Sequence, residues 1–184
     1  DLESYGREYY KFLYKTVDIV GTEEKDTFHL RTLDDGNLEV QVCSQGVVKY
    51  KRKFDRKITK EIRMYGRSET DVFLINSSIA SGIKLYLVGG PGKDIYTSFQ
   101  PARLLDEVII RENNDDNLYL LKQAKVITSD KPKYYTYNRT AFQYNYKLFF
   151  PSASYNPDDG LMLGFSLNHH KYGFMKWPFS SKHN

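Results

Sequence analysis

The densest set of residues that could bind a ligand lies in the glycine-rich turn at residues 89–94, Gly-Gly-Pro-Gly-Lys-Asp. In the nonapeptide repeats that bind calcium, glycines turn the backbone and an aspartate supplies an oxygen ligand. On that interpretation Gly89, Gly92 and Asp94 would hold the ion. Calcium would also need several such turns stacked in register. The turn is not a phosphate-binding loop, because no helix beginning with Lys-Ser or Lys-Thr follows it.

The same pattern occurs four times in the chain: an apolar run, a turn, a polar residue five positions after the first turn residue, and an aromatic residue two positions later. The turn, polar and aromatic positions are Gly21, Asp26 and Phe28; Gly66, Asp71 and Phe73; Gly89, Asp94 and Tyr96; and, in a degenerate copy, Glu112, Asn117 and Tyr119. The copies at 22–25 and 67–70 lack the glycines that calcium repeats need. We therefore favour a structural turn role, in which Asp26, Asp71 and Asp94 accept backbone N–H bonds and stack as a ladder. Calcium remains the alternative.

A second set of candidate binding residues lies in the tyrosine-rich segment that begins after residue 133. Aromatic faces stack on sugar rings, and the candidates are Tyr134, Tyr135, Tyr137 and Tyr144. Half of the side chains of any strand point inward, so core packing is the competing interpretation. The four histidines include no i, i+4 pair and no carboxylate-flanked set. We therefore predict no cofactor.

The repeat indicates how these residues are positioned. Spacings of 45, 23 and 23 residues are typical of strand–turn–strand units that bury their faces by stacking. We predict an all-β fold, solenoid-like or a sandwich, with residues 1–130 as a repeat-built domain. A short amphipathic helix within residues 1–15 would cap the first unit, and a hairpin with turns at 34–37 and 45–46 would fill the longest gap. Residues 131–184 would form the second domain.

The second predicted domain contains a tyrosine-rich strand and a strand of the outer-membrane type. The first alternates across residues 142–148. In the second, apolar residues alternate with small or polar ones over residues 161–170, and an aromatic cluster follows at 172–179. An apolar face toward lipid with aromatic residues at the interface is typical of a barrel strand. An ordinary strand of a soluble sandwich has the same alternation and is the alternative.

The composition argues against several classes of protein. The chain has 27 basic and 23 acidic residues, which are interleaved, so its net charge of +4 does not predict a nucleic-acid partner. A disulfide framework within the chain is excluded, because Cys43 is its only cysteine. No stretch approaches the roughly 18 apolar residues of a transmembrane helix.

Several strings resemble those of one protein family. They are Tyr-Tyr-Lys-Phe-Leu at 9–13, Thr-Lys-Glu-Ile-Arg-Met-Tyr-Gly at 59–66, Gly-Gly-Pro-Gly-Lys-Asp at 89–94, Asn-Pro-Asp-Asp-Gly-Leu at 156–161 and Tyr-Gly-Phe at 172–174. The chain resembles large envelope proteins of Gram-negative bacteria. These have an N-terminal calcineurin-like metallophosphoesterase domain, a middle β-rich region and a C-terminal outer-membrane barrel of the surface-antigen type. The resemblance covers nearly the whole chain and matches it to the middle region and the first barrel strand.

The resemblance implies a role without catalysis. Phosphoesterases of this type bind two metals with Asp-x-His, Gly-Asp and Gly-Asn-His-Glu motifs, and none of these occurs here. We expect a structural linking module on the periplasmic side of the outer membrane, whose partners are the phosphoesterase domain and the barrel of the parent chain. The alternative is a module that binds cell-envelope glycans through surface tyrosines. A β-helical polysaccharide lyase ranks last, because no column of basic and acidic residues recurs at the repeat spacing.

Overall fold

The chain divides into two compact units, Asp1–Tyr137 and Asn138–Asn184. A computed structural model describes residues 1–76, 78–99, 103, 106–121, 123–141, 143–176 and 180–183. The first unit contains helix α1 (Leu2–Leu13) and strands β1 (Thr16–Val20), β2 (Asp26–Thr32), β3 (Leu38–Ser44), β4 (Val47–Phe54), β5 (Glu61–Tyr65), β6 (Val72–Ile75), β7 (Lys84–Val88), β8 (Ile95–Ser98), β9 (Val108–Glu112), β10 (Leu118–Tyr119) and β11 (Lys125–Thr128), followed by a 3-10 helix at Pro132–Tyr134. The second unit contains β12 (Tyr146–Asn156), β13 (Gly160–Lys171) and β14 (Ser181–His183). The predicted domain boundary at residue 130 falls inside the first unit.

Parallel strands of the first unit alternate between two sheets. One sheet has the order β1-β5-β7-β9-β11, and all of its pairs are parallel. The other has the order β10-β8-β6-β2-β3-β4, with parallel pairs from β10 to β2. Each copy of the repeat therefore places its apolar run in the first sheet and its aromatic position in the second.

Equivalent positions of the repeat pair directly with one another. In the first sheet Val17 pairs with Ile62, Ile62 with Leu85, and Leu85 with Val108. β9, an interior strand of this sheet, is buried along its whole length, whereas β5 alternates between buried and half-buried positions. The offsets in this register equal the spacings of the sequence repeat. The repeat is therefore a repeat of strand register.

Four aromatic rings stack along the core of the first unit. Phe28 stacks on Phe73 with ring centroids 4.7 Å apart, Phe73 on Tyr96 at 5.0 Å, and Tyr96 on Tyr119 at 5.6 Å. The interplanar angles are 12°, 4° and 12°. In-register parallel strands bring equivalent side chains one above another, which explains the stack.

An antiparallel extension lengthens the second sheet between the first two copies of the repeat. β3 pairs antiparallel with both β2 and β4. Gly36 has a φ of 76° in the turn after β2, and Gln45 and Gly46 have positive φ in the turn after β3. Such turns require residues that tolerate positive φ. The strands bury Leu38 and Val40 in the common core.

The prediction of an all-β fold is wrong. The chain is a mixed α/β structure with one helix, two sheets that contain parallel strands and one antiparallel sheet. Stacked strand–turn–strand units do not describe it either, because β3, β4 and the second unit add antiparallel pairs. A repeat spacing shows that positions are equivalent, but it does not show which strands pair. In addition, no residue of α1, which was predicted to cap the first unit, is buried.

The second unit is one three-stranded antiparallel sheet. β12 pairs with β13 over eleven residue pairs, and β13 pairs with β14 over three. The predicted tyrosine-rich strand at 142–148 is wrong in its bounds, because β12 begins at Tyr146 and continues through Pro151 to Asn156. Phe142, Trp177 and Phe179, which the predicted strand and aromatic cluster included, lie outside the described residues.

The aromatic stack predicts a large stability difference between two Phe-to-Ala changes. Phe73 is fully buried between two rings, whereas Phe99 is 71% exposed. We expect Phe73→Ala to lower the free energy of unfolding by about 3–5 kcal/mol, because it leaves a cavity. Phe99→Ala should change it by less than about 0.5 kcal/mol. Urea denaturation of both variants checks this, and equal losses would contradict the stack as a main source of stability.

Candidate functional site

The three repeated aspartates form a ladder of hydrogen bonds across the first unit. Asp26 donates its backbone N–H to Asp71 Oδ1 at 2.8 Å, and Asp71 donates its own to Asp94 Oδ1 at 2.8 Å. Asp94 donates its N–H to Oδ1 of Asn117 at 2.6 Å. The side chains of Asp71 and Asp94 therefore each bind the backbone of the preceding copy of the repeat. Asn117, in the degenerate copy, supplies the same oxygen without a charge.

The glycine of each copy makes room for the carboxylate. A Cβ atom added at Gly21 would lie 2.4 Å from Asp26 Oδ2, and one added at Gly66 would lie 2.1 Å from Asp71 Oδ2. One added at Gly89 would lie 2.0 Å from Asp94 Oδ2. These distances are far below a van der Waals contact, so no side chain fits. The recurrence of glycine five residues before aspartate is a packing requirement.

Glu112 replaces the glycine in the fourth copy and brings a second carboxyl group beside Asp94. Its Oε1 would also lie 2.0 Å from a Cβ atom at Gly89. The Tyr96 hydroxyl donates a hydrogen bond to Glu112 Oε1. The backbone N–H of Asn113 donates to Oε2 at 3.1 Å. In the sequence pattern Glu112 is recognisable only as the first position of the degenerate copy, and its approach to Asp94 is not.

Burial controls the electrostatics of this cluster. Asp71, Asp94 and Glu112 are each no more than 1% exposed. Burial raises the pKa of Asp71 from 3.8 to about 8, and the neighbouring charges of Asp94 and Asp26 add to the rise. Burial is also the main cause of the raised pKa values of Asp94 and Glu112. The acids are closed off from solvent in this structure.

The calcium interpretation concerned the turn that contains Gly89, Gly92 and Asp94. Among the residues that the structure describes, no group of three or more His, Cys, Asp or Glu side chains is placed to hold a metal ion. Gly92 has a packing role of its own, because a Cβ atom there would lie 1.9 Å from the carbonyl oxygen of Glu69. Its φ of 143° is also one that other residues rarely adopt. Gly92 lets the turn at 89–94 lie against the preceding turn.

The four candidate tyrosines do not belong to one unit. Tyr134, Tyr135 and Tyr137 are half-buried in the first unit, and Tyr144 is exposed in the second. Tyr137 packs edge-on against Tyr65, with ring centroids 4.9 Å apart. Among the three rings of the first unit, Tyr137 is therefore used in packing against another aromatic residue.

The second unit carries an exposed apolar face. Cross-strand pairs lie on the same face of a sheet, so pairs spaced two residues apart share it. The pairs on one face are Phe149 with Leu167, Pro151 with Phe165, Ala153 with Leu163, and Tyr155 with Leu161. We call these eight residues the apolar hairpin face. Leu163 and Phe165 are 75% and 76% exposed.

The opposite face of the hairpin is more polar. It carries five serines and asparagines, which are Ser152, Ser154, Asn156, Ser166 and Asn168. Two of them pair with a glycine, and Ser154 pairs with the exposed Met162. Leu148 and Phe150 are its exposed apolar members toward the open end. The part of the apolar hairpin face that β12 contributes was not predicted from the sequence, because the apolar run at 148–151 ends in proline and resembles the end of a strand. Alternation of the odd positions from 149 to 155 was the signal that could have found it.

Helix α1 also exposes apolar residues. Leu2, Tyr5 and Tyr9 follow the helical spacing and are all exposed. The helix has 12 residues, and none of the helices in the described ranges is long and apolar enough to cross a membrane. Asp1 caps its first turn by accepting the N–H of Glu3 at 3.2 Å.

The close packing of the ladder predicts that one methyl group added at Gly89 strongly lowers the free energy of unfolding. Gly89→Ala places Cβ against both Asp94 and Glu112, and we expect it to lower the free energy of unfolding by about 2–4 kcal/mol. Gly6→Ala is the control, because nothing lies within 4 Å of its added Cβ in α1. Alanine there should stabilise the chain by up to about 1 kcal/mol. Chemical denaturation measures both, and a neutral Gly89→Ala would contradict the close approach.

Known proteins offer no direct guide to this chain. Comparison with protein-family models, with curated proteins and with solved structures finds no match. The similarity of its motifs to the envelope-protein family therefore stays a prediction from the sequence. The role of the chain has to be argued from the geometry of the ladder and of the apolar hairpin face.

Proposed function

We propose that the chain is a non-catalytic structural module of a cell-envelope protein, which positions a phosphoesterase domain relative to an outer-membrane barrel. The phosphoesterase and the periplasmic location come from the sequence resemblance. The observation that supports the membrane part is the apolar hairpin face of β12 and β13. The absence of the phosphoesterase motifs and the closure of the buried acids support a role without chemistry.

The dimensions of the hairpin suit a lipid bilayer. β12 has 11 residues and β13 has 12, and a strand that crosses a membrane needs about 9–11. One face is apolar, and the other carries serines, asparagines and glycines together with Leu148, Phe150 and Met162. A more polar second face is expected of strands that separate lipid from a polar interior. Backbone groups inside a bilayer must be hydrogen-bonded. The eleven residue pairs between β12 and β13 meet this requirement along the edge by which each strand faces the other.

The distribution of charge along the hairpin also supports the proposal that β12 and β13 cross a bilayer. The only Asp, Glu, Lys and Arg residues between 146 and 171 are Lys147, Asp158, Asp159 and Lys171. The two aspartates lie in the loop between the strands, and the two lysines lie at the opposite end. A bilayer excludes charge from its centre and accepts it at both surfaces. A binding surface for a folded protein would not need charges confined to its two ends.

The first unit suits the positioning role. Its parallel strands are paired in register, and one core runs through both sheets. A packed body of this kind holds its two ends at a fixed distance, whereas a flexible linker does not. The module would thus set the distance between the phosphoesterase and the membrane.

Site-specific labels test the membrane part of the proposal. In a Cys43→Ser background, Leu163→Cys and Phe165→Cys place a fluorophore on the apolar hairpin face, and Ser166→Cys and Asn168→Cys place it on the opposite face. We expect lipid-borne nitroxides in phosphatidylcholine vesicles to quench the labels at 163 and 165 several-fold more than those at 166 and 168, because only the first pair contacts acyl chains.

Charge substitutions provide the matched control. Leu163→Arg should weaken vesicle binding by an amount equivalent to about 2–4 kcal/mol, whereas Ser166→Arg should leave it nearly unchanged. Equal quenching at all four labels, or apolar labels shielded only in a dimer of the chain, would contradict insertion into lipid.

A further inference from the structure

The carboxyl groups of Asp94 and Glu112 meet inside the core without a cation between them. Asp94 Oδ2 and Glu112 Oε1 would each lie 2.0 Å from the same added Cβ at Gly89, so the two oxygens are no more than 4.0 Å apart. Both side chains are almost completely buried. Two carboxylates cannot both be ionised at this distance in a buried site, because each disfavours the charge of the other.

The hydrogen bonds of the pair show where a proton would lie. Glu112 Oε1 accepts from the Tyr96 hydroxyl, and Asp94 Oδ1 accepts from the N–H of Asp71. Among the described residues, Asp94 Oδ2 is buried and has no hydrogen-bond partner. Two ionised carboxylates offer only acceptors to each other. A proton on Asp94 Oδ2 would donate to Glu112 Oε1 and would give the buried oxygen its partner.

Asp71 presents the same situation in the neighbouring copy. Its Oδ1 accepts the N–H of Asp26, whereas its Oδ2 is buried and without a partner in the described part of the chain. Asp26 provides the contrast, because its Oδ2 accepts the N–H of Thr22 at 2.5 Å. The first copy thus supplies a donor to its carboxylate and the second does not.

The groups that surround these acids add no positive charge. The charged groups that act on Asp71 are Asp26, Asp94 and Glu69. The charged groups that act on the pair are the two acids themselves. Tyr96 of β8 acts on Glu112 as a neutral hydrogen-bond donor, and the neutral Tyr119 of β10 lies beside them. Neither Lys nor Arg is among these groups within the described residues. The cluster therefore has no internal cation that could replace a proton.

We infer that the first unit contains a buried proton-binding site, in which Asp94 and Glu112 share one proton and Asp71 holds a second at neutral pH. The ligand is the proton itself, and the folded chain binds it where the unfolded chain does not. Folding is then linked to pH. A carboxyl group whose folded pKa is raised contributes its full stabilisation below its ordinary pKa and loses it as pH rises through the folded pKa. Because the pKa of Asp71 is raised from 3.8 to about 8, the stabilisation by its proton is lost between about pH 4 and about pH 8.

Unfolding measured from pH 5 to pH 8 tests the site. For each proton held only by the folded chain, the unfolding equilibrium constant rises about tenfold per pH unit. We expect the unfolding equilibrium constant of Glu112→Gln to rise less steeply with pH, by an amount equivalent to up to one proton. The reason is that the glutamine amide donates to Asp94 without titrating. Asp71→Asn should remove the second proton in the same way. Asp116→Asn is the control, because this aspartate side chain is 93% exposed and should leave the slope unchanged.

Infrared spectroscopy of the unaltered chain gives a second readout that does not depend on any variant folding. In heavy water at neutral pH, the carbonyl stretch of a protonated carboxyl group is separate from that of ionised carboxylates. We expect this band in the native chain and in Asp116→Asn, and a weaker band in Glu112→Gln or Asp71→Asn. Absence of the band in the native chain, or a slope in both buried-site variants equal to that of the control, would overturn the inference.

Discussion

The hydrogen bond from the backbone N–H of one repeat aspartate to the carboxylate of the next is the interaction on which the first unit depends. It joins turns that are 45 and 23 residues apart in the chain, and the amide oxygen of Asn117 accepts the equivalent bond another 23 residues on. Because the acceptor is a short side chain, adjacent turns must approach closely, and only glycine at positions 66 and 89 leaves the space. Once the turns are held in this way, the strands that leave them pair in parallel and in register.

The same constraint explains why acidic side chains are found in the core. The carboxylate of the short aspartate side chain reaches the neighbouring backbone N–H, which would otherwise be buried without an acceptor. This arrangement buries a column of acidic side chains, which costs free energy when they are ionised. The fourth copy lowers this cost at one position, where Asn117 provides the oxygen without a charge, and raises it at another, where Glu112 lies beside Asp94. Protons held by the cluster would reconcile close packing with the absence of a nearby cation.

The two units differ in how they treat apolar surface. The first unit places two sheets around one core, so the apolar side chains of both are buried by the unit itself. The second unit has a single sheet of three strands and exposes a continuous apolar face. A sheet of this kind needs another surface to cover it. The burial of its apolar face therefore depends on its surroundings, whereas the first unit buries its apolar side chains in its own core.

The sequence alone determined the positions of the repeat and the residue types that recur in it. Glycine, aspartate and aromatic residues mark equivalent points because the close approach of turns, the carboxylate acceptor and the ring stack each tolerate few alternatives. The turn residues around Gly36 and Gly46 were likewise recognisable, since positive φ restricts the choice of residue.

Only the tertiary structure decided which strands pair, how α1 is placed and what Glu112 contacts. Strand pairing is a long-range choice among edges that look alike in sequence, so the predicted all-β stacking was wrong. The exposed apolar side of α1 follows the same periodicity as a buried one. The contact of Glu112 with Asp94 depends on the space beside Gly89, and the β12 half of the apolar hairpin face depends on pairing with β13. These features arise from three-dimensional neighbours, which local sequence patterns do not encode.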